Sequence, residues 1–64
     1  MQLSVIVPVL NEEGVLAATL NRARGPGVLE VIVVDGGSDD ATVDVARRLA
    51  DVVRRRGQWQ DRAA

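Results

Sequence analysis

The sequence has no cysteine, no tyrosine and no phenylalanine, and its single aromatic residue is Trp59. Without cysteine there is neither a disulfide nor a thiolate metal site to hold a small fold together. Lysine is absent as well. That excludes the phosphate loop of nucleotidases, which needs Gly-x-x-x-x-Gly-Lys. Nor is there an excess of one charge. Eight arginines face nine acids, for a net charge of -1, so no global attraction to nucleic acid or to a membrane surface is expected. No apolar run approaches the roughly 20 residues of a membrane helix. Residues 1–10 are apolar but carry no basic start, and Pro8 and Asn11 interrupt them too early for a signal peptide. These absences make a cytoplasmic location the default, although a longer parent protein could carry membrane helices of its own.

What is present suits one folded domain. The chain has 64 residues, and 47% are apolar, too many for a disordered chain. A chain this short buries a modest share of its surface and is marginally stable alone. Its centre is the stretch Val31-Ile32-Val33-Val34-Asp35-Gly36-Gly37-Ser38. An unbroken apolar run rich in β-branched residues fits a strand buried on both faces of a parallel sheet. The glycines permit the sharp turn that must follow. Open α/β sheets bind ligands just outside the carboxyl ends of their strands, which is where Asp35 falls.

Taken in order, residues 3–10 (Leu-Ser-Val-Ile-Val-Pro-Val-Leu) predict a strand. Pro8 removes a ladder donor, so the strand should end near it or lie at an edge. Asn11 is a good helix N-cap, and Glu12 and Glu13 suit a first turn. Val15, Leu16, Thr19, Leu20 and Ala23 recur at helical spacing as one buried stripe, with Asn21, Arg22 and Arg24 facing water. Gly25-Pro26-Gly27 ends the helix, and residues 28–34 give the second strand. Ser38 or Asp39 should cap a second helix with Asp40 in its first turn and Val43, Val45, Ala46, Leu49 and Ala50 on its apolar face. Asp39, Asp40 and Asp44 read as solvated. A short third strand over residues 51–54 completes a βαβαβ parallel half-sheet of the α/β, Rossmann-like class. Residues 1–54 form this partial domain, and residues 55–64 read as a polar, disordered tail. Arg54-Arg55-Arg56 reads as a solvated charge run, phosphate binding being the minority reading. A three-stranded half-sheet is rarely finished: the first strand would normally have another beside it, and both faces need helices. The chain is therefore expected to be the N-terminal piece of a larger domain or a truncated product.

Two strand ends carry the chemistry: Pro8-Val9-Leu10-Asn11-Glu12 and Val34-Asp35-Gly36-Gly37-Ser38-Asp39-Asp40-Ala41-Thr42. Adjacent strands of a βαβ unit open on one edge, so the two turns can share a crevice. A carboxylate there would accept from the N3–H of a uracil, and acids also bond ribose hydroxyls. A diphosphate would be repelled by Asp35 and should lie farther out, beside a metal or an arginine.

The paired motifs resemble the start of a family 2 glycosyltransferase of the GT-A fold. That family opens with a strand ending in Pro-x-x-Asn-Glu, matched by Pro8, Asn11 and Glu12. A helix and a second strand lead to Val-Asp-Asp/Gly-Gly-Ser-x-Asp-x-Thr, matched by Asp35, Gly37, Ser38, Asp40 and Thr42. The resemblance covers about residues 3–54, and Gly36 places the chain with a Val-Asp-Gly-Gly-Ser subgroup. It implies that Pro8, Leu10, Asn11 and Glu12 contact the base and ribose of a nucleotide-sugar donor. Asp35 would bond the base edge, with Gly36, Gly37 and Ser38 shaping the loop beneath the nucleoside. Asp40 and Thr42 would cap the second helix.

Departures matter too. Leu10 stands where tyrosine is frequent, and residues 57–61 fit the pattern poorly, although Arg62-Ala63-Ala64 resembles the start of an Arg-Ala-x-Gln-x-Asn segment. The family's Asp-x-Asp metal motif and catalytic base have no counterpart here. The intact parent is expected to be an inverting transferase using Mg or Mn, with no metal bound and no catalytic residue supplied by this chain, which alone should transfer no sugar.

Other classes fit less well. A dinucleotide-binding oxidoreductase would show Gly-x-Gly-x-x-Gly after the first strand, and residues 8–14 lack it. A receiver-like module would want further acids there. A truncated non-catalytic fragment and a Rossmann-like nucleotide-binding module remain the alternatives.

Overall fold

The computed structural model describes residues 3–56. The expected tail, including Trp59, lies almost wholly outside the described residues. Five elements alternate: β1 (Leu3–Val9), α1 (Leu16–Ala23), β2 (Val28–Asp35), α2 (Thr42–Leu49) and β3 (Val52–Arg55). The strands form one parallel sheet in the order β1-β2-β3. This is the α/β half-sheet that the alternation of β-branched runs and helical stripes predicts. β3 runs one residue past the predicted end.

The register sets what the site can contain. Val9 pairs with Asp35, and Asp35 with Arg55, so all three strand ends reach the same edge of the sheet. Pro8 lies within β1, pairing with Val34. It is tolerated there because β1 pairs only with β2 among the described residues, which makes it an edge strand.

Side chains alternate across the sheet. Val9, Val31 and Val33 point to the face covered by Leu16 and Leu20 of α1 and Ala46 of α2, and these six residues are the buried core. Val7, Ala23, Val28, Val45, Ala50 and Val53 pack around it. Both helices therefore lie on one face and touch each other. Two crossovers of the same hand, each stepping the chain in the same direction, produce that result. The opposite face presents Ile6, Ile32 and Val52 in one row across the three strands, with Ile6 58% exposed. Among the described residues no helix covers it. Among them also, no helix is long and apolar enough to cross a membrane.

The helix starts differ from expectation. Asn11 does not cap α1, and neither Glu12 nor Glu13 is in its first turn, which holds no acid. A preparatory turn intervenes, with the N–H groups of Val15 and Leu16 both donating to the Glu12 carbonyl at 3.0 and 2.9 Å. Val15 is consequently 57% exposed and drops out of the buried stripe. α2 likewise begins at Thr42 rather than after Ser38 or Asp39. In both cases the polar residues chosen as caps are used for a long-range purpose.

A second correction concerns Arg24. It does not simply face water: its guanidinium donates to the Leu49 carbonyl at 2.7 Å and pairs with Asp51 at 3.1 Å. Asp51 in turn accepts the Val31 N–H at 2.7 Å. This clamp joins the end of α1 to the α2–β3 connection at the edge opposite the strand tips.

Candidate functional site

The site is built where β1 and β2 end. Asn11 adopts φ 49, a left-handed conformation that asparagine tolerates better than most residues. That turn aims its backbone and its side chain in one direction. Its N–H donates to Ser38 Oγ at 2.9 Å, and its Oδ1 accepts the Asp39 N–H at 2.8 Å. The Glu12 N–H donates to Thr42 Oγ1 at 2.7 Å. Three hydrogen bonds thus tie residues 11 and 12 to a loop about 30 positions away.

The partner loop is organised by Asp35. Its Oδ2 accepts the Gly37 and Ser38 N–H groups, each at 3.0 Å, and its Oδ1 accepts the Ser38 hydroxyl at 2.5 Å. Gly37 takes φ 111, a conformation that L side chains rarely adopt, and this lets the chain fold back over the carboxylate. The Gly36 N–H donates to the Val9 carbonyl at 2.9 Å. A Cβ at Gly36 would meet that oxygen at 3.5 Å and Leu10 Cδ1 at 3.9 Å, which is ordinary van der Waals contact. Asp40 is also engaged rather than solvated. Its Oδ1 accepts both the N–H and the hydroxyl of Thr42, which places the pair at the start of α2.

Asp35 is 3% exposed. Burial opposes its charge. The hydrogen bonds from Ser38 and Gly37, with the positive charge of Arg55, outweigh that effect and hold the carboxyl below the ordinary 3.8. Because the folded value lies below the unfolded one, the resulting stability is fully present above about pH 4 and is lost as pH falls through the folded value. Asp40 and Asp51 are shifted in the same direction. The unfolding temperature should therefore be level between about pH 7 and 5 and drop below about pH 4. An Asp35→Asn variant should lose less on acidification than the parent does. Equal acid sensitivity of the two proteins would remove Asp35 from this account.

Of the residues singled out from the sequence, Asn11, Glu12, Asp35, Gly36, Gly37 and Ser38 meet at one rim. Leu10 stands beside Gly36, 55% exposed, with its side chain available above the turn. Pro8 lies one register step back, on the uncovered sheet face. Arg55 and Arg56, read from the sequence as a solvated charge run with phosphate binding as the minority reading, line a cavity of about 290 Å³ together with Asp35, Ser38 and Val43. The signal was available, since an arginine run at the carboxyl end of a predicted strand must emerge on the same edge as Asp35.

Comparison with known proteins settles the kinship. The sequence model of glycosyl transferase family 2 matches residues 4–63. The chain belongs to glycosyl transferase family 2. Among similar members, a PGL/p-HBAD biosynthesis glycosyltransferase of Mycobacterium tuberculosis is 47% identical over 49 residues, covering 73% of this chain and 19% of that protein. Validoxylamine A glucosyltransferase of Streptomyces hygroscopicus subsp. limoneus is 36% identical over 63 residues, 92% of this chain and 14% of that protein. An uncharacterized protein of Methanocaldococcus jannaschii is 35% identical over 54 residues, 84% of this chain and 22% of that protein. The family 2 chain thus spans between 14% and 22% of the length of these relatives. No solved structure matches it.

A family 2 parent is expected to use Mg or Mn. Among the described residues no group of three or more His, Cys, Asp or Glu side chains could hold a metal ion. Asp39 and Asp40 are adjacent in sequence, but Asp40 is turned onto Thr42. These residues do not fit the ion.

Proposed function

We propose that this chain forms the nucleoside-holding part of a glycosyltransferase that moves a sugar from a nucleotide-sugar donor to an acceptor hydroxyl. Its membership of family 2 supports the reaction class. The cross-tie between Asn11 and the Asp35–Ser38 loop supports the nucleoside assignment, because it makes two strand-end turns into one rigid rim at the edge where α/β sheets take ligands.

In this reading each residue has a defined task. A carboxylate offers about four acceptor positions. Loop donors fill three of those on Asp35, two at Oδ2 and one at Oδ1. One position on Oδ1 remains for an N–H on the base edge. Leu10 gives an aliphatic surface for a base to lie against, and Gly36 and Gly37 keep the approach free of side chains. Glu12, whose N–H donates to Thr42 Oγ1, accepts from a ribose hydroxyl through its carboxylate. Chemically, the acceptor hydroxyl oxygen attacks the anomeric carbon of the donor. The bond from that carbon to the diphosphate oxygen breaks, and the acceptor proton passes to a base. The chain binds and orients the leaving nucleotide and takes no part in the proton transfer.

Isothermal titration with uridine and guanosine diphosphates tests the reading. Binding of at least one is expected, with the affinity lowered about tenfold in an Asn11→Ala variant, equivalent to one lost hydrogen-bonded tie of about 1.4 kcal/mol. Absence of binding to every nucleoside diphosphate would overturn it.

A further inference from the structure

We infer that the uncovered face of the sheet is a self-association surface, on which a second copy of this chain packs face to face to form a two-fold dimer. The inference does not depend on the nucleotide reading, because the Asn11–Ser38 rim lies at the strand ends and not on this face.

The first observation is what the face presents. Ile6, Ile32 and Val52 form its central row, and Pro8 and Val34 extend the apolar surface toward the carboxyl edge. Ile6 is 58% exposed. A parallel sheet is normally covered on both faces, and both helices of this one lie on the other face.

The second observation is charge. Among the strand residues of this face, Glu30 is the one acid and Arg54 the one base. They stand at opposite ends, on either side of the apolar row: Glu30 one register step before Ile32, and Arg54 one step after Val52. The Ser4 hydroxyl donates to Glu30 Oε1 at 2.9 Å and leaves the other carboxylate oxygen for a partner. Arg54 gives the Val53 carbonyl one of its five donors, at 3.3 Å.

The third observation is that this pattern is self-complementary. Place a two-fold axis across the strands at the level of Ile32. The row Ile6-Ile32-Val52 then stacks on its own copy, because residues paired in register lie along the axis. The strands of the two copies run in opposite directions. Glu30 of each copy comes one strand spacing from the partner's Arg54, and the pairing occurs twice. Size allows it as well. The molecule is a slab of 33 × 31 × 14 Å, and its broad face is wide enough for the roughly 800 Å² per partner of a stable interface. The product is a four-layer stack, with helices outside and two sheets about 10 Å apart inside.

Sedimentation velocity of the full chain over a concentration series tests this. A shift from one to two chain masses with rising concentration is expected. Ile6→Ser, Glu30→Arg and Arg54→Glu should each weaken association at least about tenfold, with circular dichroism melting confirming that each variant is folded. An equimolar mixture of Glu30→Arg and Arg54→Glu should regain the dimer, since each chain then supplies the charge that the other needs. A parent chain that stays monomeric at every concentration overturns the proposal and leaves another segment or another protein as the occupant of the face. A dimer indifferent to Ile6→Ser overturns it too. So does a mixture of the charge variants that associates no better than either alone.

Discussion

Replacing Asp35 with alanine is expected to destabilise the fold by about 2–4 kcal/mol and to weaken nucleoside diphosphate binding at least tenfold. The stability loss follows from what the carboxylate satisfies. It accepts from the Gly37 N–H, the Ser38 N–H and the Ser38 hydroxyl while 3% exposed. Removing it strands three donors in a loop whose left-handed Gly37 has little other reason to fold back. The effect should spread, because Ser38 also receives the Asn11 N–H. Asp35→Asn should be intermediate, since an amide keeps one acceptor oxygen and turns the other into a clashing donor. Urea unfolding and calorimetric titration of the same preparations provide both readings. A variant as stable as the parent would show that the loop holds its shape without this residue.

Leu20→Ala should lower stability by about 2–5 kcal/mol through lost burial and a residual cavity. For a chain of this size the total is about 3–10 kcal/mol, so a substantial unfolded population is expected. Leu20 is 1% exposed and, with Leu16, is the part of α1 that reaches Val9, Val31 and Val33. The comparison is Val15→Ala. Val15 lies one turn earlier in the predicted stripe but is 57% exposed, and the change should stay within about 0.5 kcal/mol. Matching shifts in the two denaturation midpoints would mean that α1 is rotated or begins earlier than described.

That contrast also shows which parts of the fold could be read from residues alone. The strands were legible because Val5, Ile6, Val7 and residues 31–34 are β-branched and continuous, a pattern that few other structures accommodate. The convergence of Asn11, Glu12, Asp35 and Ser38 followed from parallel topology. The helix starts were misread because asparagine, aspartate and serine bond any nearby backbone, and sequence gives no indication of which. Asn11 satisfies the Asp39 N–H instead of its own helix, and Ser38 satisfies Asp35 instead of α2. The role of Arg24 depends on its pairing with Asp51 and the Leu49 carbonyl, distant in sequence, which no local pattern encodes.

The bonds joining Asn11 to Ser38 and Asp39, and Glu12 to Thr42, have a consequence for how such a rim can change. Neither turn keeps its geometry when the other is rebuilt, so substitutions on the two sides are energetically non-additive. A shift in donor preference must be made by paired replacements, with the first member of each pair passing through a less stable intermediate.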